Sequence, residues 1–524
     1  MDIIRLNINQ DEPPASLKEI RLQVALIAAI ATVAASLSAR FAFGAPLLPE
    51  LLAQFIFAVA PIWMVEAGVA LLGPFAKHLA FLGCVVGYLI VLTALAFGFF
   101  QLMPSPVSTA ARRTRLGAFV IFVYLISLFI IIPLLGGGLA GQYLRQGALA
   151  TTMTLLTTHA VYGAALLFGA RAYLERDHSK VAQSKLLNRR RVVRSIGYAV
   201  LAVGVYDIAR SLFGSWLNSG AGRVRGGTGE FPNIDNLALE ITPTKDFYLV
   251  SKNAFDPEVE ATRWRLEIAG LVETPMTLAY NDIKSLPSVE QYATLCCISN
   301  EVGGDLIGNA LWRGVRLKDL LQKAGLKPGI VDIVLRASDD YTDSIPLDRA
   351  MQDGTLLVYE MNGEALTPAH GYPLRLLVPG IYGMKNVKWI TRLEAIDYDL
   401  KGFWQRRGWD DRAEYKTMSR IDAPSAAVKS EATIAGIAFA GDRGISKIEV
   451  STDGGVTWEQ AEIKAALSPF TWVLWNKRWT PQQTGKHRLI VRATDGRGNL
   501  QTPQYAPPAP SGSTGYDAKT IASS

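Results

Sequence analysis

Cysteine and histidine are scarce in this chain, with 3 and 5 among its 524 residues. Three cysteines cannot build the disulfide framework of a small secreted protein, and there is no Cys-x-x-Cys-His sequence for attaching a c-type haem. We also expect no haem-binding domain ahead of the soluble core. The net charge of +7 comes largely from one short loop, so it does not indicate nucleic-acid binding.

Charged residues are rare in five long apolar runs, at residues 22–43, 77–101, 116–136, 148–173 and 195–215. Because about 20 apolar residues span a bilayer, these runs predict five transmembrane helices within residues 1–216. A sixth stretch, residues 51–72, contains Pro61 and Glu66. An acidic side chain at membrane depth usually faces a cavity or a partner, so this stretch is either a true span or a re-entrant or interfacial segment.

The loop between the last two apolar runs is strongly basic, with eight Lys or Arg residues from Arg171 to Arg194. The positive-inside rule places such a loop in the cytoplasm. We therefore expect a multi-pass protein of the bacterial inner membrane, with everything after Trp216 on the periplasmic or outer side. Residues 188–194 also resemble a twin-arginine export signal; the alternative is a basic cluster that only sets topology.

The part after the membrane region divides by composition into four segments. Residues 217–230 are glycine-rich and predict a flexible linker. Residues 231–422 alternate short β-rich and helical stretches, such as Leu317 to Ala324, which predicts a mixed α+β domain. Residues 423–505 predict an antiparallel β-sandwich, with strands at 447–451 and 456–458 joined by an Asp453-Gly454-Gly455 turn. Residues 506–524 predict a surface tail.

A cysteine followed by cationic and amide-bearing motifs distinguishes residues 247–422. The motifs occur in the order Thr294 to Asn300, Trp312 to Leu317, Ser344 to Leu347, Met361 to Gly363, His370 to Arg375 and Lys385 to Trp389. This series resembles the sulfite oxidase family of molybdopterin oxidoreductases. The resemblance implies a molybdenum–molybdopterin cofactor, an immunoglobulin-like dimerisation domain at residues 423–505 and a homodimer.

The resemblance also implies individual roles. Cys297 stands at the position of the metal ligand, and a thiolate is a soft ligand suited to such a metal; Cys296 is expected to point elsewhere. An inert buried thiol or a vicinal disulfide is the alternative. Tyr341 matches the active-site tyrosine. The residues expected to bind the cofactor, besides Cys297, are Asn253, Ser338, His370, Arg375, Asn386, Val387 and Lys388. For Lys385 and Lys388 the alternative is a pair of solvated side chains.

Two departures from the family pattern bear on the substrate. After the cysteine, Glu301 and Val302 replace a pair of arginines, and Val250 to Lys252 replace a segment that carries another arginine. A sulfite dianion requires a strongly cationic pocket. The sequence therefore supports membership of the family more firmly than it supports sulfite as the substrate.

We expect a small-molecule substrate, two-electron oxygen-atom transfer, and a cytochrome or quinone as redox partner. A sulfoxide reductase, acting for example on methionine sulfoxide, is one alternative, and a non-enzymatic scaffold or sensor is another. His78 and His159 lie at different membrane depths, so we expect no haem between them.

Overall fold

The computed structural model describes residues 17–60, 64, 68, 76–103, 108–142, 144, 147–171, 234–253 and 256–524. These residues belong to two compact units, Met1–Gly214 and Ser215–Ser524. Several sequence predictions lie outside the described residues: Pro61, Glu66, the span at 195–215, the export-like motif at 188–194 and the linker at 217–230.

The described part of the first unit is helical. Its helices are α1 (Leu17–Phe43), α2 (Leu48–Val59), α3 (Ala76–Leu102), α4 (Thr109–Ile126) and α5 (Gly147–Gly169). Three segments in the described residues are long and apolar enough to cross a membrane: Leu17–Arg40, Leu79–Leu102 and Thr109–Leu134. These segments coincide with three of the predicted spans. A fourth predicted span, at residues 148–173, contains α5, which is not one of the three segments. Helix α2, with 12 residues, rises about 18 Å, too short for a span of about 30 Å.

Small residues bring the helices of the first unit close together. A Cβ added to Gly169 of α5 would lie 2.6 Å from the Val24 side chain of α1, so this approach requires glycine. His159 is 1% exposed; its Nδ1 lies 2.8 Å from the Leu155 carbonyl and its Nε2 lies 3.3 Å from Ser127 Oγ. His159 is therefore engaged in helix packing, while the side chain of His78 lies outside the described part.

The second unit begins with a mixed α+β domain, as predicted. Its strands are β1 (Arg265–Gly270), β2 (Met276–Ala279), β3 (Val289–Cys296), β4 (Ile307–Arg316), β5 (Asp332–Ala337), β6 (Thr342–Pro346), β7 (Leu356–Met361), β8 (Glu364–Ala365), β9 (Arg375–Leu377) and β10 (Ile390–Ile396), and its helices are α6 (Tyr280–Ser285), α7 (Leu317–Ala324) and α8 (Leu347–Ala350). The predicted helix at 317–324 is thus confirmed.

Two sheets organise this domain. One has the order β2-β1-β10-β5-β6, with β1 and β10 parallel and the other pairs antiparallel. The other has the order β3-β4-β7-β8, with β9 also paired to β7. Leu266, Ile333 and Leu393 of the first sheet and Leu320 of α7 share one buried core. This core fixes the ends of β5, β9 and β10, from which the candidate site loops emerge.

The last domain is built mainly from strands. They are β11 (Met418–Ala423), β12 (Ala432–Phe439), β13 (Ile445–Ser451), β14 (Glu459–Gln460), β15 (Glu462–Ile463), β16 (Val473–Trp479), β17 (Gly485–Asp495) and β18 (Asp517–Ser523). Sheets β11-β12-β16-β15 and β14-β13-β17-β18 share one apolar core containing Ile421, Trp475 and Val491. The predicted antiparallel two-sheet architecture is confirmed.

The predicted strand at residues 456–458 is wrong by a few residues. The carboxylate of Asp453 accepts hydrogen bonds from the backbone N–H groups of Val456 and Thr457, each at 3.0 Å. These bonds keep both residues in the turn, so the returning strand starts only at Glu459. Gly454 and Gly455 supply the positive φ angles, 80° and 100°, that the turn requires.

The prediction of a surface tail at residues 506–524 is also wrong. Strand β18 pairs antiparallel with β17 from Asp517 to Ser523, and Ile521, 6% exposed, belongs to the sandwich core. The Asp517 carboxylate accepts the Ile421 N–H at 2.8 Å. The Pro/Ser/Gly-rich composition belongs to the loop before β18, where Ser513 Oγ donates to the Asn300 carbonyl at 2.6 Å.

Candidate active site

Loops from both sheets of the α+β domain converge on one region. The Ser338 N–H, at the β5–β6 turn, donates to the Trp389 carbonyl at 2.9 Å. From the same turn, Tyr341 Oη lies 2.9 Å from the Met384 carbonyl, and Asn253 Nδ2 donates to Asp339 Oδ2 at 2.7 Å. The structure therefore brings Asn253, Ser338 and Tyr341 together with the loop that carries residues 386–388.

The two adjacent cysteines occupy different environments. Cys296 ends β3, is 3% exposed and packs in an apolar cluster that includes Tyr382 and Tyr415. Cys297 is the first residue after the strand and is 7% exposed, with its Sγ 2.9 Å from Ser299 Oγ. Burial raises the pKa of the Cys297 thiol, although hydrogen bonds from Ser299 and Ile298 oppose the shift. Cys296 thus points elsewhere, as predicted.

Cys297 has no cluster of other metal-ligating side chains around it in the described part of the chain. Within the residues that the structure describes, no group of three or more His, Cys, Asp or Glu side chains could hold a metal ion. A buried thiol with a raised pKa becomes a thiolate only beside a cation, and a soft metal provides one. A lone cysteine ligand therefore fits a metal whose other ligands come from a cofactor.

Arg375 is a buried cation with no carboxylate partner among the described residues. Its side chain donates to the carbonyls of His370 at 3.1 Å and Asn386 at 3.2 Å and stacks on the Trp312 ring at 5.2 Å. No carboxylate of the described residues forms an ion pair with it, and its buried Nε has no partner among them. Burial lowers the pKa of Arg375 to about 10, so it is charged at neutral pH. An uncompensated buried charge is costly, and a bound anion would compensate it.

A second buried polar atom lies near the same loops. Ser338 Oγ has no hydrogen-bond partner in the described part of the chain, whereas its backbone N–H is bonded to Trp389. Buried hydroxyls nearly always find a partner. Ser338 Oγ and Arg375 Nε can each donate a further hydrogen bond. They therefore fit a bound group that accepts hydrogen bonds, as a pterin edge and a phosphate do.

The side chains of Asn386, Val387 and Lys388 all make contacts within the protein. Asn386 Oδ1 accepts the Val378 N–H at 2.6 Å, and its Nδ2 donates to the Tyr382 carbonyl at 3.2 Å. Val387 is 2% exposed and packs in the domain core. Lys388 Nζ donates to the Ala369 carbonyl at 3.0 Å and lies over the Trp389 ring. These contacts fix the loop beside Arg375.

His370 is held as a neutral imidazole. Its Nε2 lies 3.0 Å from the Thr244 carbonyl, and because a carbonyl only accepts, Nε2 carries the hydrogen. Burial lowers the pKa of His370 to about 4, with smaller contributions from Arg375 and Lys388. The folded protein therefore disfavours protonation of this side chain.

This depressed pKa predicts acid sensitivity of the fold. The unfolded chain takes up the His370 proton near pH 6.5 and the folded chain near pH 4, so stability from this group is complete above pH 6.5 and is lost as pH falls to about 4. The loss is about 3 kcal/mol at most. We expect the unfolding midpoint of the His370→Gln variant to depend less on pH between 6.5 and 4. His487→Gln, in the last domain, serves as control; equal pH dependence of His370→Gln and the wild type would contradict the assignment.

The sequence analysis missed one charged residue of the site, Asp343, and named a second, Lys385, only as part of its motif. Asp343 is 0% exposed and Lys385 is 2% exposed, with Lys385 Nζ 3.1 Å from Asp343 Oδ1. The alternative that Lys385 is solvated is therefore wrong. Tyr341 Oη lies 3.0 Å from Asp343 Oδ2, and burial, followed by the charge of Asp343, raises the pKa of the Tyr341 phenol. The sequence carries little signal for Asp343, because its neighbours in the strand, Thr342 and Ser344, are polar as well.

Comparison with known proteins agrees with this geometry. Residues 253–404 match the family described as oxidoreductase molybdopterin binding domain, and residues 416–506 match the Mo-co oxidoreductase dimerisation domain. The uncharacterized oxidoreductase YuiH of Bacillus subtilis is 36% identical over 155 residues, which are 30% of this chain and 76% of that protein.

Longer relatives match a larger part of this chain. The mitochondrial sulfite oxidase of Drosophila melanogaster is 28% identical over 330 residues, which cover 52% of this chain and 57% of the fly protein. This chain thus spans little more than half the length of that relative. The crystal structure of the sulfane dehydrogenase SoxCD from Paracoccus pantotrophus superimposes with a TM-score of 0.50 and 26% identity, covering 55% of this chain and 82% of that one.

The fold and the matched domains define a molybdopterin-binding oxidoreductase followed by a β-sheet dimerisation domain. Within that class, this chain belongs to the sulfite oxidase family. The lone buried thiol of Cys297, the uncompensated charge of Arg375 and the unused hydroxyl of Ser338 fit its molybdenum cofactor.

Proposed function

We propose that this protein is a membrane-anchored molybdenum-cofactor oxidoreductase that transfers an oxygen atom to or from a small substrate in a two-electron reaction. When bound, the cofactor supplies the redox-active metal and the transferable oxygen. The observation that carries the proposal is the pairing, in one domain, of a buried thiol at Cys297 with a buried cation at Arg375 that has no counter-ion among the described residues.

In this proposal Cys297 is the metal ligand and Tyr341 faces the substrate. Arg375 and Ser338 bind the anionic and polar parts of the cofactor directly, because both have unused donors. Lys388 adds positive charge beside them. His370, Asn386 and Val387 hold the loops in place through the contacts described above, and Asn253 supports the Ser338 turn through Asp339.

The charges near Tyr341 favour a substrate of low charge. Lys252, which falls in the segment where relatives carry an arginine, donates to the Asp339 carbonyl at 2.7 Å and lies 3.6 Å from the Asp339 carboxylate. Its positive charge is thereby offset. Together with Glu301 and Val302 in place of two arginines, this arrangement supports the alternative of a sulfoxide reductase that uses the same cofactor.

We extend the proposal to location and assembly. The three apolar helices of the first unit are compatible with anchoring in a bacterial inner membrane, with the catalytic domain on the periplasmic or outer side. The match to a dimerisation domain supports a homodimer, and we keep the immunoglobulin-like assignment of that domain as part of this proposal. Electrons would be exchanged with a separate cytochrome or quinone.

Two assays of the detergent-purified full chain test this function. We expect molybdenum to be bound, and turnover with either sulfite and an oxidised dye or methionine sulfoxide and a reduced dye; the offset charge of Lys252 predicts faster turnover with the sulfoxide. The Lys252→Gln variant should change the ratio of the two rates by less than tenfold, since its charge is already compensated. Absence of molybdenum from the wild-type protein would refute the proposal.

A further inference from the structure

A line of ionisable side chains runs from Tyr341 to the surface of the α+β domain. Tyr341 Oη lies 3.0 Å from Asp343 Oδ2, Asp343 Oδ1 lies 3.1 Å from Lys385 Nζ, and Lys385 Nζ lies 3.2 Å from Asp411 Oδ1. The exposed fraction of the side chain rises from 0% at Asp343 and 2% at Lys385 to 35% at Asp411. The line thus begins at a buried site residue and ends at water.

We propose that Tyr341, Asp343, Lys385 and Asp411 form a proton path between the reacting position and solvent. The proposal rests on the function proposed above and adds residues to it. Tyr341 touches the substrate in that function, while the other three act through Tyr341 and are positioning and relay residues.

The hydrogen-bond partners of Tyr341 indicate that Asp343 carries a proton. Tyr341 Oη has one hydrogen and lies within bonding distance of two oxygens, Asp343 Oδ2 at 3.0 Å and the Met384 carbonyl at 2.9 Å. The carbonyl can only accept. If Tyr341 donates to it, the contact with Asp343 is satisfied when Oδ2 carries a proton and donates to Tyr341. The network therefore has a specific place for an extra proton.

The surroundings of Asp343 agree with this placement. Its Oδ1 accepts from Lys385 and from the Ser344 N–H at 2.8 Å, which leaves Oδ2 for the proton; the neutral Gln405 amide approaches Oδ2 at 3.4 Å. Burial raises the pKa of Asp343 even though Lys385 opposes the shift. Gly402 closes over this carboxyl, because a Cβ there would lie 2.7 Å from Asp343 Oδ1.

At the outer end, Lys401 connects the path to the surface. Asp411 Oδ2 accepts from Lys401 Nζ at 2.7 Å, and Lys401 is 49% exposed. The Lys401 ammonium and the Lys385 ammonium both lower the pKa of Asp411. A proton that reaches Asp411 is therefore readily released to water.

The chemistry requires such a route. Oxidation by oxygen-atom transfer converts substrate and water into oxygenated substrate, two protons and two electrons; the O–H bonds of water break and the electrons pass to the cytochrome or quinone partner. In the outward direction the Lys385 ammonium donates a proton to Asp411, which releases it to water, and the protonated Asp343 then reprotonates Lys385. Tyr341 passes its proton to Asp343 and takes one from the reacting water, so that every residue returns to its starting state. Sulfoxide reduction would use the same steps in reverse.

Turnover of variants at the two ends tests the path. We expect Asp343→Asn to lower turnover by about a hundredfold, the usual range for a positioned acid or base, and Asp411→Asn by about tenfold. Formate, a small proton carrier, should restore turnover of Asp411→Asn, because that position is open to solvent. The control is Asp353→Asn, which removes an exposed carboxylate that also pairs with a lysine, Lys318; it should match the wild type. Unchanged turnover of Asp411→Asn, or a loss that formate does not restore, would overturn the path.

Infrared spectroscopy provides a readout that needs no turnover. We expect the wild type at neutral pH to show the band of a protonated carboxylic acid that is absent from Asp343→Asn and present in Asp353→Asn. Equal spectra of wild type and Asp343→Asn would refute the proton site even if turnover changed. If the wild type instead lacked molybdenum or turnover while the band was present, the proposed function would fail and the proton site would stand.

Discussion

Replacing Cys297 with serine is expected to abolish turnover while leaving the second unit, Ser215–Ser524, folded. The thiol is 7% exposed and its neighbouring hydroxyl, Ser299 Oγ, is 2.9 Å away, so serine fits the space and keeps a hydrogen bond. A hydroxyl is a poor ligand for a soft metal. Because Arg375 binds a separate part of the cofactor in our proposal, pterin should remain bound in part. Turnover, molybdenum and pterin content should be measured on the same preparation.

Cys296→Ser is the matched control for this experiment. It changes the adjacent thiol, which is buried in the apolar cluster against Tyr382 and Tyr415. We expect a moderate loss of stability from placing a hydroxyl in that cluster, on the order of 1–3 kcal/mol, and retained turnover at low temperature. If Cys296→Ser were inactive and Cys297→Ser active, the assignment of the metal ligand would be reversed.

Replacing Arg375 with alanine is expected to lower the amount of bound cofactor rather than only the rate. The guanidinium is a buried cation whose contacts in the described residues are neutral: the carbonyls of His370 and Asn386 and the Trp312 ring. Loss of a charge-assisted contact costs about 1.5–3 kcal/mol, which is roughly a tenfold to hundredfold loss of affinity. Molybdenum and pterin per protein should fall accordingly.

Arg492→Ala controls for the loss of a stacked arginine. Arg492 lies over the Trp458 ring at 4.0 Å in the last domain, but it has a carboxylate partner, Glu449 Oε2, at 2.9 Å. We expect its replacement to leave the molybdenum content unchanged. Equal molybdenum content in Arg375→Ala and the wild type would exclude Arg375 from cofactor binding.

Local motifs predicted segments that the structure brings together, such as the Ser338 turn and the loop of residues 386–388. The spacing from Thr294 distinguished Cys297 from Cys296, and the structure gives them different surroundings because β3 ends between them. The helix at 317–324 followed from its local pattern. These features depend on residues close together in sequence.

What the sequence could not predict depends on distant contacts. Lys385 looks like a surface residue in its own motif, yet it is buried because Asp343 and Asp411, on separate segments, both reach its ammonium group. The glycine and proline residues before β18 obscure one short strand, so composition alone predicts a tail there. The strand forms because it pairs with the otherwise open edge of β17.

The contact between Ser513 and the turn that follows Cys297 has a consequence for biosynthesis. Ser513 Oγ donates to the Asn300 carbonyl across 213 positions of sequence, and β18 follows directly. The ribosome must therefore synthesise more than two hundred residues after Cys297 before this contact can form. Because domains fold as units during synthesis, we expect the turn to reach its final form only after residue 513 has been made. A nascent chain that stalls before that residue would present the turn without this contact.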